Sequence, residues 1–250
     1  MNLILVEPDE RRADGTLRLS GPRARHIADV LKAQPGDSIR LGVLDGPLGT
    51  GTITSLTKEA IELSCALEDR IPPRPRVDLL LALPRPKIMR RLWAPLAALG
   101  VGRIFLTNAW KVERMYFDSH AVRPEVYRPL LIEGLQQARD TRLPEVRVFK
   151  QFKVLVEDEL PGLFPEGLRL MARPAAGKAI QAAISEVHPA RVLLAVGPEG
   201  GWIPYEEDLL MRHGFQPVSM GPRTLRADTA CVALLALLNE EMRGAALDHS

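Results

Sequence analysis

The amino-acid sequence predicts an α/β protein with a small, mostly β domain ahead of a larger α/β domain. Three observations lead to this prediction. Short strand patterns follow one another closely over residues 1–70, a proline-rich segment occupies residues 71–76, and strand and helix patterns alternate over residues 77–250. Because strands separated by helices pair in parallel, we expect the second domain to contain a parallel sheet covered by helices on both faces.

The first domain is expected to be barrel-like. Apolar and polar residues alternate over residues 60–65, which is typical of a half-buried strand. One helix interrupts the strands at residues 23–32, with Ile27, Val30 and Leu31 on one face. The predicted strands are residues 3–6, 16–19, 38–44, 50–56 and 60–67.

The segment 71–76 is predicted to be a stiff, extended linker between the two domains. It contains three prolines within residues 72–75, and proline continues neither a helix nor a central strand. We therefore expect the domains to cover residues 1–70 and 77–250.

The second domain is expected to alternate strands and helices. Its first helix, residues 87–99, contains Pro95, which should kink it, and precedes Gly100, a typical C-terminal cap. The buried stripe of this helix consists of Ile88, Leu92, Leu96 and Leu99. The predicted strands are 77–82, 103–107, 168–172, 191–196 and 217–220, and the further helices are 124–139, 178–187, 204–212 and 228–243.

Composition excludes several classes of protein. The net charge of +2 permits nucleic-acid binding without requiring it. Cys65 and Cys231 lie in apolar patterns and are expected to be reduced and buried, and no residues show zinc-ligand spacing. The N-terminus lacks a basic signal segment, and the longest apolar run, residues 230–238, is too short to cross a bilayer. We therefore expect a cytoplasmic protein without a metal or a membrane partner.

Two glycine-proline turns are the strongest functional signals. Gly197-Pro198-Glu199-Gly200-Gly201 and Gly221-Pro222-Arg223 each follow a short buried strand and precede a helix. Ligands bind at this edge of parallel sheets, and glycine lets the backbone approach them closely. The spacing matches neither G-x-G-x-x-G nor a Walker A loop, which disfavours a phosphate cradle. A tight connection without any ligand remains the alternative for the first turn alone.

The second turn is expected at the end of the neighbouring strand, where it adds charge to the same predicted edge. Arg223 and Arg226 flank it, and Asp228 is a preferred N-cap for the helix that follows. Each arginine taken singly is equally well explained as a solvated charge or as the partner of a carboxylate. Two arginines beside two glycine turns favour a binding site.

Together with the helices after them, these turns resemble the bacterial 16S ribosomal RNA uridine-N3 methyltransferases of the SPOUT superfamily. Residues 23–37 resemble the PUA-like segment of that family, and residues 87–101 and 136–146 resemble two motifs in the middle of its chain. The two C-terminal motifs are highly specific in combination, the others less so, and the resemblance covers most of the chain.

The resemblance implies a PUA-like β-barrel joined to an α/β domain whose C-terminal part forms a trefoil knot. It also implies S-adenosylmethionine as the cofactor, a homodimer, and 16S rRNA or the small ribosomal subunit as the partner. By matching position, the cofactor-binding residues are Ala172, Arg173, Gly197, Pro198, Glu199, Gly200, Gly201, Met220, Gly221, Leu225 and Arg226.

The implied chemistry assigns roles to charged residues. Uridine N3 must lose a proton before it can accept a methyl group, so negative charge develops on the base. Arg226 and Arg223 are the candidates to stabilise that charge. Asp228 is a possible general base, although a helix cap is the favoured role.

RNA binding is expected to involve the helix of the first domain. Its candidate residues are Arg23, Arg25, His26 and Lys32. Trp93 and Trp110 are able to stack on bases, but packing is the favoured role for both.

Several positions depart from the family pattern. Ile203 stands where a Ser or Thr helix cap is usual, and residues 108–111 replace a stretch that commonly contains Ser-Glu-Arg. Asp228, Gln136 and Ala98 each replace a glutamate. The alternatives are a non-catalytic RNA-binding or ribosome-assembly protein, a methyltransferase for another rRNA or tRNA nucleotide, and a nucleotide-dependent enzyme of ordinary doubly wound type. The missing phosphate-binding signatures argue against the last.

Overall fold

A computed structural model describes residues 3–57, 59–174 and 176–247. The contacts divide the chain into two compact units. The first consists of Met1–Arg74 and Ile132–Leu143, and the second of Pro75–Leu131 and Pro144–Ser250. The division of the sequence at residues 71–76 did not include Ile132–Leu143 in the first unit.

The segment Ile132–Leu143 joins the first unit through long-range hydrogen bonds. The backbone N–H of Leu5 donates to the side-chain oxygen of Gln136 at 3.3 Å. The hydroxyl of Thr141 donates to the carbonyl oxygen of Gly46 at 2.7 Å. Contacts between residues so far apart in the chain leave no periodic pattern, which is why the sequence did not reveal them.

The first unit contains a five-stranded sheet in the order β1-β3-β4-β5-β2. Strand β1 pairs with β3 in parallel, and the other pairs are antiparallel. Leu19, Ile27, Ile61 and Leu63 are fully buried in its core. The strands are β1 (Ile4–Val6), β2 (Thr16–Ser20), β3 (Ser38–Val43), β4 (Leu48–Leu56) and β5 (Ala60–Leu67).

The helical segment predicted at residues 23–32 starts and ends two residues earlier. Helix α1 (Gly21–Arg25) continues into a π-helical turn, His26–Val30. A π turn holds more residues than an α turn, so positions after Ile27 rotate away from the core. Val30 is therefore exposed, contrary to the prediction that it shares the apolar face.

The second unit contains a six-stranded sheet in the order β11-β9-β10-β6-β7-β8, and every neighbouring pair is parallel. The predicted α/β class with a parallel sheet is confirmed. Every residue of the central strands β6 and β10 is buried, which explains why all of β10, and all of β6 except Asp78, is apolar. The strands are β6 (Val77–Ala82), β7 (Val101–Thr107), β8 (Glu145–Phe149), β9 (Leu168–Ala172), β10 (Val192–Val196) and β11 (Phe215–Val218).

Strand β8 and a helical segment after it were not predicted from the sequence. Strand β8 is an edge strand with three exposed residues of five, so it lacks an apolar run. The segment contains α4 (Phe152–Val154), a π turn (Leu155–Glu159) and α5 (Leu160–Leu163), which interrupt the 3.6-residue period.

The remaining helices agree with the prediction to within a few residues. None of the helices in the described ranges is long and apolar enough to cross a membrane. They are α2 (Pro86–Ala98), α3 (Pro124–Ala138), α6 (Ile180–Val187), α7 (Pro204–Arg212) and α8 (Ala227–Leu247).

A fully buried carboxylate ties three strands together at the amino-terminal edge of the parallel sheet. Asp78 lies in β6, and its carboxylate accepts hydrogen bonds from Arg103 in β7 at 2.5 and 3.0 Å. It also accepts two from Arg191, directly before β10, at 2.8 and 2.9 Å. The hydrogen bond to Asp78 raises the pKa of Arg191. Two guanidinium groups thus compensate the desolvation of one carboxylate.

The substitution Asp78→Ala should lower the free energy of unfolding by about 3–5 kcal/mol, because it leaves two partly buried guanidinium groups without their shared partner. Urea denaturation measures the loss. The control is Glu145→Ala, which removes an exposed ion pair with Arg147 at 2.6 Å and should cost less than about 1 kcal/mol. Equal losses in the two variants would contradict a structural role for Asp78.

Candidate functional site

The carboxyl ends of three neighbouring strands meet at one edge of the parallel sheet. Strand β9 lies between β10 and β11, with Met171 opposite Ala195 and Ala172 opposite Val218. The expectation that the two glycine turns follow neighbouring strands is wrong, because β9 lies between β10 and β11. The loop after β9 therefore also reaches the site.

A cavity of about 360 Å³ lies at this edge, between the loops that follow the three strands. Every predicted cofactor-binding residue except Arg226 lines it. The lining residues from these predictions are Ala172, Arg173, Gly197, Pro198, Glu199, Gly200, Gly201, Met220, Gly221 and Leu225.

Two glycines in these loops have backbone angles that other residues rarely adopt. Gly201 has a φ of +71°, and Gly221 has a φ of +127°. A side chain at either position would be strained even though the space around each is open. The glycines of the sequence motif therefore set the path of the loops around the cavity.

The apolar wall of the cavity was not predicted from the sequence. Ala227, Ala230 and Leu234 of α8 line it, and their spacing of three and four residues places them on one face of the helix. This spacing in the sequence is the signal from which the apolar wall could have been predicted. Trp202 also lines the cavity, and its indole N–H is buried without a hydrogen-bond partner among the described residues. A buried donor of this kind favours a ligand that accepts a hydrogen bond.

Charged side chains around the cavity form exposed ion pairs. Arg85 lies 3.4 Å from Glu199, and Arg173 lies 3.5 Å from Glu207. All four side chains are at least partly exposed, so each pair contributes little to stability. These charges are therefore free to exchange partners when a ligand binds.

Arg226 and Asp228 lie at the start of α8. Because this helix begins at Ala227, Arg226 occupies the N-cap position and Asp228 lies in the first turn. The expectation that Asp228 is the N-cap was therefore wrong by two positions. The carboxylate of Asp228 accepts a hydrogen bond from Arg91 at 3.1 Å and lies 4.0 Å from the Nε of Arg226. A carboxylate engaged by two cations is a weak candidate for the general base.

The predicted RNA-binding residues of the first unit differ in their surroundings. Arg23 donates hydrogen bonds to Glu10, one of them at 2.8 Å, and these lower the pKa of Glu10. Arg25 and Lys32 are exposed, and Lys32 lies beyond the helical residues with a φ of +51°. His26 is half-buried at a cleft of about 320 Å³. Arg25 and Lys32 are thus the best placed of the four to contact a phosphate.

The two tryptophans considered for base stacking have opposite environments. Trp93 is fully buried, and its indole N–H donates to the carbonyl oxygen of Ala121 at 2.9 Å, so packing is its role. Trp110 is 80% exposed, so it does not pack in the core of this chain.

The cysteines do not form a chemical site. Both are free, and complete burial raises the pKa of the Cys231 thiol to about 12, so the thiol stays protonated. Cys65 is only partly buried, contrary to expectation. Within the described ranges, no three His, Cys, Asp or Glu side chains converge as a metal site would require.

Family models match two parts of the chain. A model described as an RNA methyltransferase domain matches residues 72–239, and one described as an RNA methyltransferase PUA domain matches residues 19–64.

The chain is also similar to named proteins and to solved structures. Ribosomal RNA small subunit methyltransferase E of Treponema pallidum is 28% identical, with 95% of this chain and 90% of that protein covered. The protein of the same name from Synechocystis is 30% identical, with coverages of 94% and 76%. The crystal structure of this methyltransferase from Neisseria gonorrhoeae, bound to S-adenosyl methionine, has a TM-score of 0.78 at 23% identity, with coverages of 96% and 97%.

A second solved structure, a Legionella pneumophila protein in complex with the same bound cofactor, has a TM-score of 0.73 at 25% identity and coverages of 95% and 96%. Because one family model covers more than half of the chain and the Synechocystis protein is 30% identical over nearly all of it, this chain belongs to the RNA methyltransferase family of the ribosomal RNA small subunit methyltransferases E.

Proposed function

We propose that this chain is an S-adenosylmethionine-dependent RNA methyltransferase that modifies N3 of a uridine in 16S rRNA. The observation that carries the proposal is the cavity at the ends of β9, β10 and β11, where the predicted cofactor residues converge. The relatives named as small subunit methyltransferases support the choice of ribosomal RNA.

The cavity fits S-adenosylmethionine in size and in chemistry. A volume of about 360 Å³ lies within the usual range of small-molecule sites. The apolar face of α8 suits an adenine ring, and the backbone groups of the glycine loops suit hydrogen bonds to it. The unpartnered indole N–H of Trp202 supplies one more donor. The Legionella protein, solved with this cofactor bound, supports the same assignment.

When bound, the cofactor supplies a methyl group that is already electrophilic because a sulfonium carries it. The protein must then align N3 of the uridine with that methyl group and exclude competing geometries. Removal of the N3 proton leaves negative charge on the base, and a guanidinium stabilises that charge by hydrogen bonding. Arg226 is our candidate for this role because it is exposed beside the cavity, and Arg223 lines the cavity itself.

The proposed function also indicates which surface binds the rRNA and which oligomer the protein forms. Docking of rRNA on the first unit would use Arg25 and Lys32, with His26 and Arg23 at the adjacent cleft. Phosphate contacts of this kind make RNA affinity fall as the salt concentration rises. We further propose that the protein is a cytoplasmic homodimer, as the family resemblance implies, and that the small ribosomal subunit is its partner.

The direct test is mass mapping of methylated uridines in 16S rRNA from a strain that lacks this protein. One N3-methyluridine should disappear, and the purified protein with S-adenosylmethionine should restore it in subunits from that strain. If every methyluridine persists in the strain, the proposed substrate is wrong, and RNA binding without methyl transfer would indicate an assembly protein.

Filling the cavity should abolish cofactor binding. In Ala230→Trp, the indole would project from α8 into the volume proposed for the ligand, whereas the wild type should bind with micromolar affinity, about −8 kcal/mol. Isothermal titration calorimetry with S-adenosylmethionine measures both. The control is Ala182→Trp, the same substitution at an exposed position of α6 away from the cavity. Unchanged affinity in Ala230→Trp would place the ligand elsewhere.

Arg226→Ala should lower the rate of methyl transfer by about 100- to 1000-fold, the usual cost of losing one donor to a developing negative charge. Affinity for S-adenosylmethionine should be unchanged, since Arg226 does not line the cavity. Transfer of a labelled methyl group under single-turnover conditions measures the rate. Arg212→Ala, an exposed arginine at the end of α7, is the control. Wild-type turnover in Arg226→Ala would remove this residue from the mechanism.

A further inference from the structure

A second concave site opens beside the cofactor cavity. It has a volume of about 370 Å³ and lies between the loop after β7, the start of α4 and the start of α7. Its walls include Trp110, Tyr205 and Phe152, and we call it the aromatic groove.

We propose that the aromatic groove binds a nucleobase of single-stranded RNA that flanks the target uridine, by stacking on Trp110. This inference rests on the proposed function, because it assumes an RNA substrate. Base stacking on aromatic side chains tolerates any sequence, since every base has a π face. The groove would therefore contribute affinity and position rather than recognition of one base.

The indole is exposed on a backbone that is held in place. The carboxylate of Glu206, whose residue is only 4% exposed, accepts a hydrogen bond from the N–H of Trp110 at 2.7 Å. Its other oxygen accepts one from the N–H of Ile203 at 3.0 Å. The residue Trp110 as a whole is 80% exposed. An aromatic side chain on a fixed backbone loses little conformational entropy when it stacks, so it suits ligand binding.

The polar groups of the groove match a nucleotide. The side-chain oxygen of Asn108 is buried at the groove without a hydrogen-bond partner among the described residues, so it can accept an N–H from a base edge. Arg114 and Lys153 also line the groove and provide positive charge for the phosphates on either side. Glu206 is the carboxylate among the lining residues, and backbone N–H groups already engage both of its oxygens.

The groove and the cofactor cavity share a wall. The rings of Phe152 and Trp202 pack with their centroids 5.3 Å apart. Phe152 lines the groove, and Trp202 lines the cavity. A base in the groove is therefore separated from the cofactor by two aromatic rings. That separation excludes the groove as the site of the reacting uridine and fits a neighbouring nucleotide.

Three variants test the proposal with a fluorescein-labelled, uridine-containing RNA single strand of about ten nucleotides, within the range such sites cover. Trp110→Ala should weaken binding about tenfold or more, while Trp110→Phe keeps a stacking ring and should stay within about threefold of the wild type. Met115→Ala removes an exposed apolar side chain that does not line the groove and should leave the affinity unchanged. Fluorescence anisotropy measures all three affinities.

Tryptophan emission provides a readout that a purely structural role would not change. Because Trp93 and Trp202 are buried, an unlabelled RNA strand should quench mainly Trp110. Trp110→Phe should lose this quenching although it still binds, and the same strand annealed to its complement should not quench the wild type. Wild-type RNA affinity in Trp110→Ala overturns the proposal. If that variant also becomes monomeric, as judged by sedimentation, the groove is a contact between copies of the chain.

The proposed function is tested separately by methyl transfer in the wild type. If the wild type methylates RNA but Trp110→Ala binds RNA as tightly as the wild type does, the proposed role of the aromatic groove is contradicted and the proposed function is supported. If the wild type transfers no methyl group while Trp110→Ala loses RNA affinity, the proposed function is contradicted and RNA binding by the aromatic groove is supported.

Discussion

The candidate site depends on the parallel pairing of β11, β9 and β10. Parallel neighbours end at the same edge, so loops that follow Ala172, Val196 and Val218 converge although the chain positions lie far apart. The cavity is lined largely by residues of these loops, and the positive φ of Gly201 and Gly221 sets the path of two of the loops. The position of such a site therefore depends more on the order of the strands in the sheet than on the identity of particular side chains.

Charged side chains at the two edges of the same sheet differ in how far they are buried. At the amino-terminal edge, Asp78 is fully buried and forms ion pairs with both Arg103 and Arg191. At the carboxyl edge, Arg85 and Arg226 remain largely exposed beside single carboxylates at 3.4 and 4.0 Å. Burial holds the first set in one arrangement. Solvent leaves the second set able to rearrange around a charged substrate.

Local patterns in the sequence predicted those strands, helices and loops whose conformation is determined by residues close together in the chain. The bounds of β6 follow from a run that is apolar except for Asp78, and those of α7 follow from Pro204 at the first helical turn. The glycine loops follow from their composition. Long-range pairing was not predictable in this way. The place of β9 between β10 and β11, the attachment of Ile132–Leu143 to the first unit and the exposure of Trp110 all depend on contacts across the chain.

Glu206 links two departures from the family pattern that lie far apart in the sequence, Ile203 and residues 108–111. Ile203 has no side-chain oxygen to cap α7, and Glu206, three residues later, accepts the Ile203 N–H instead, which is half of a capping box. The second oxygen of the same carboxylate accepts the N–H of Trp110, within the other departing stretch, residues 108–111. One buried side chain therefore holds both the start of the helix beside the cofactor cavity and the loop that presents the exposed indole. Because both donors are backbone N–H groups, a different side chain at Ile203 or Trp110 leaves these hydrogen bonds in place, whereas loss of the Glu206 carboxylate would release both segments at once.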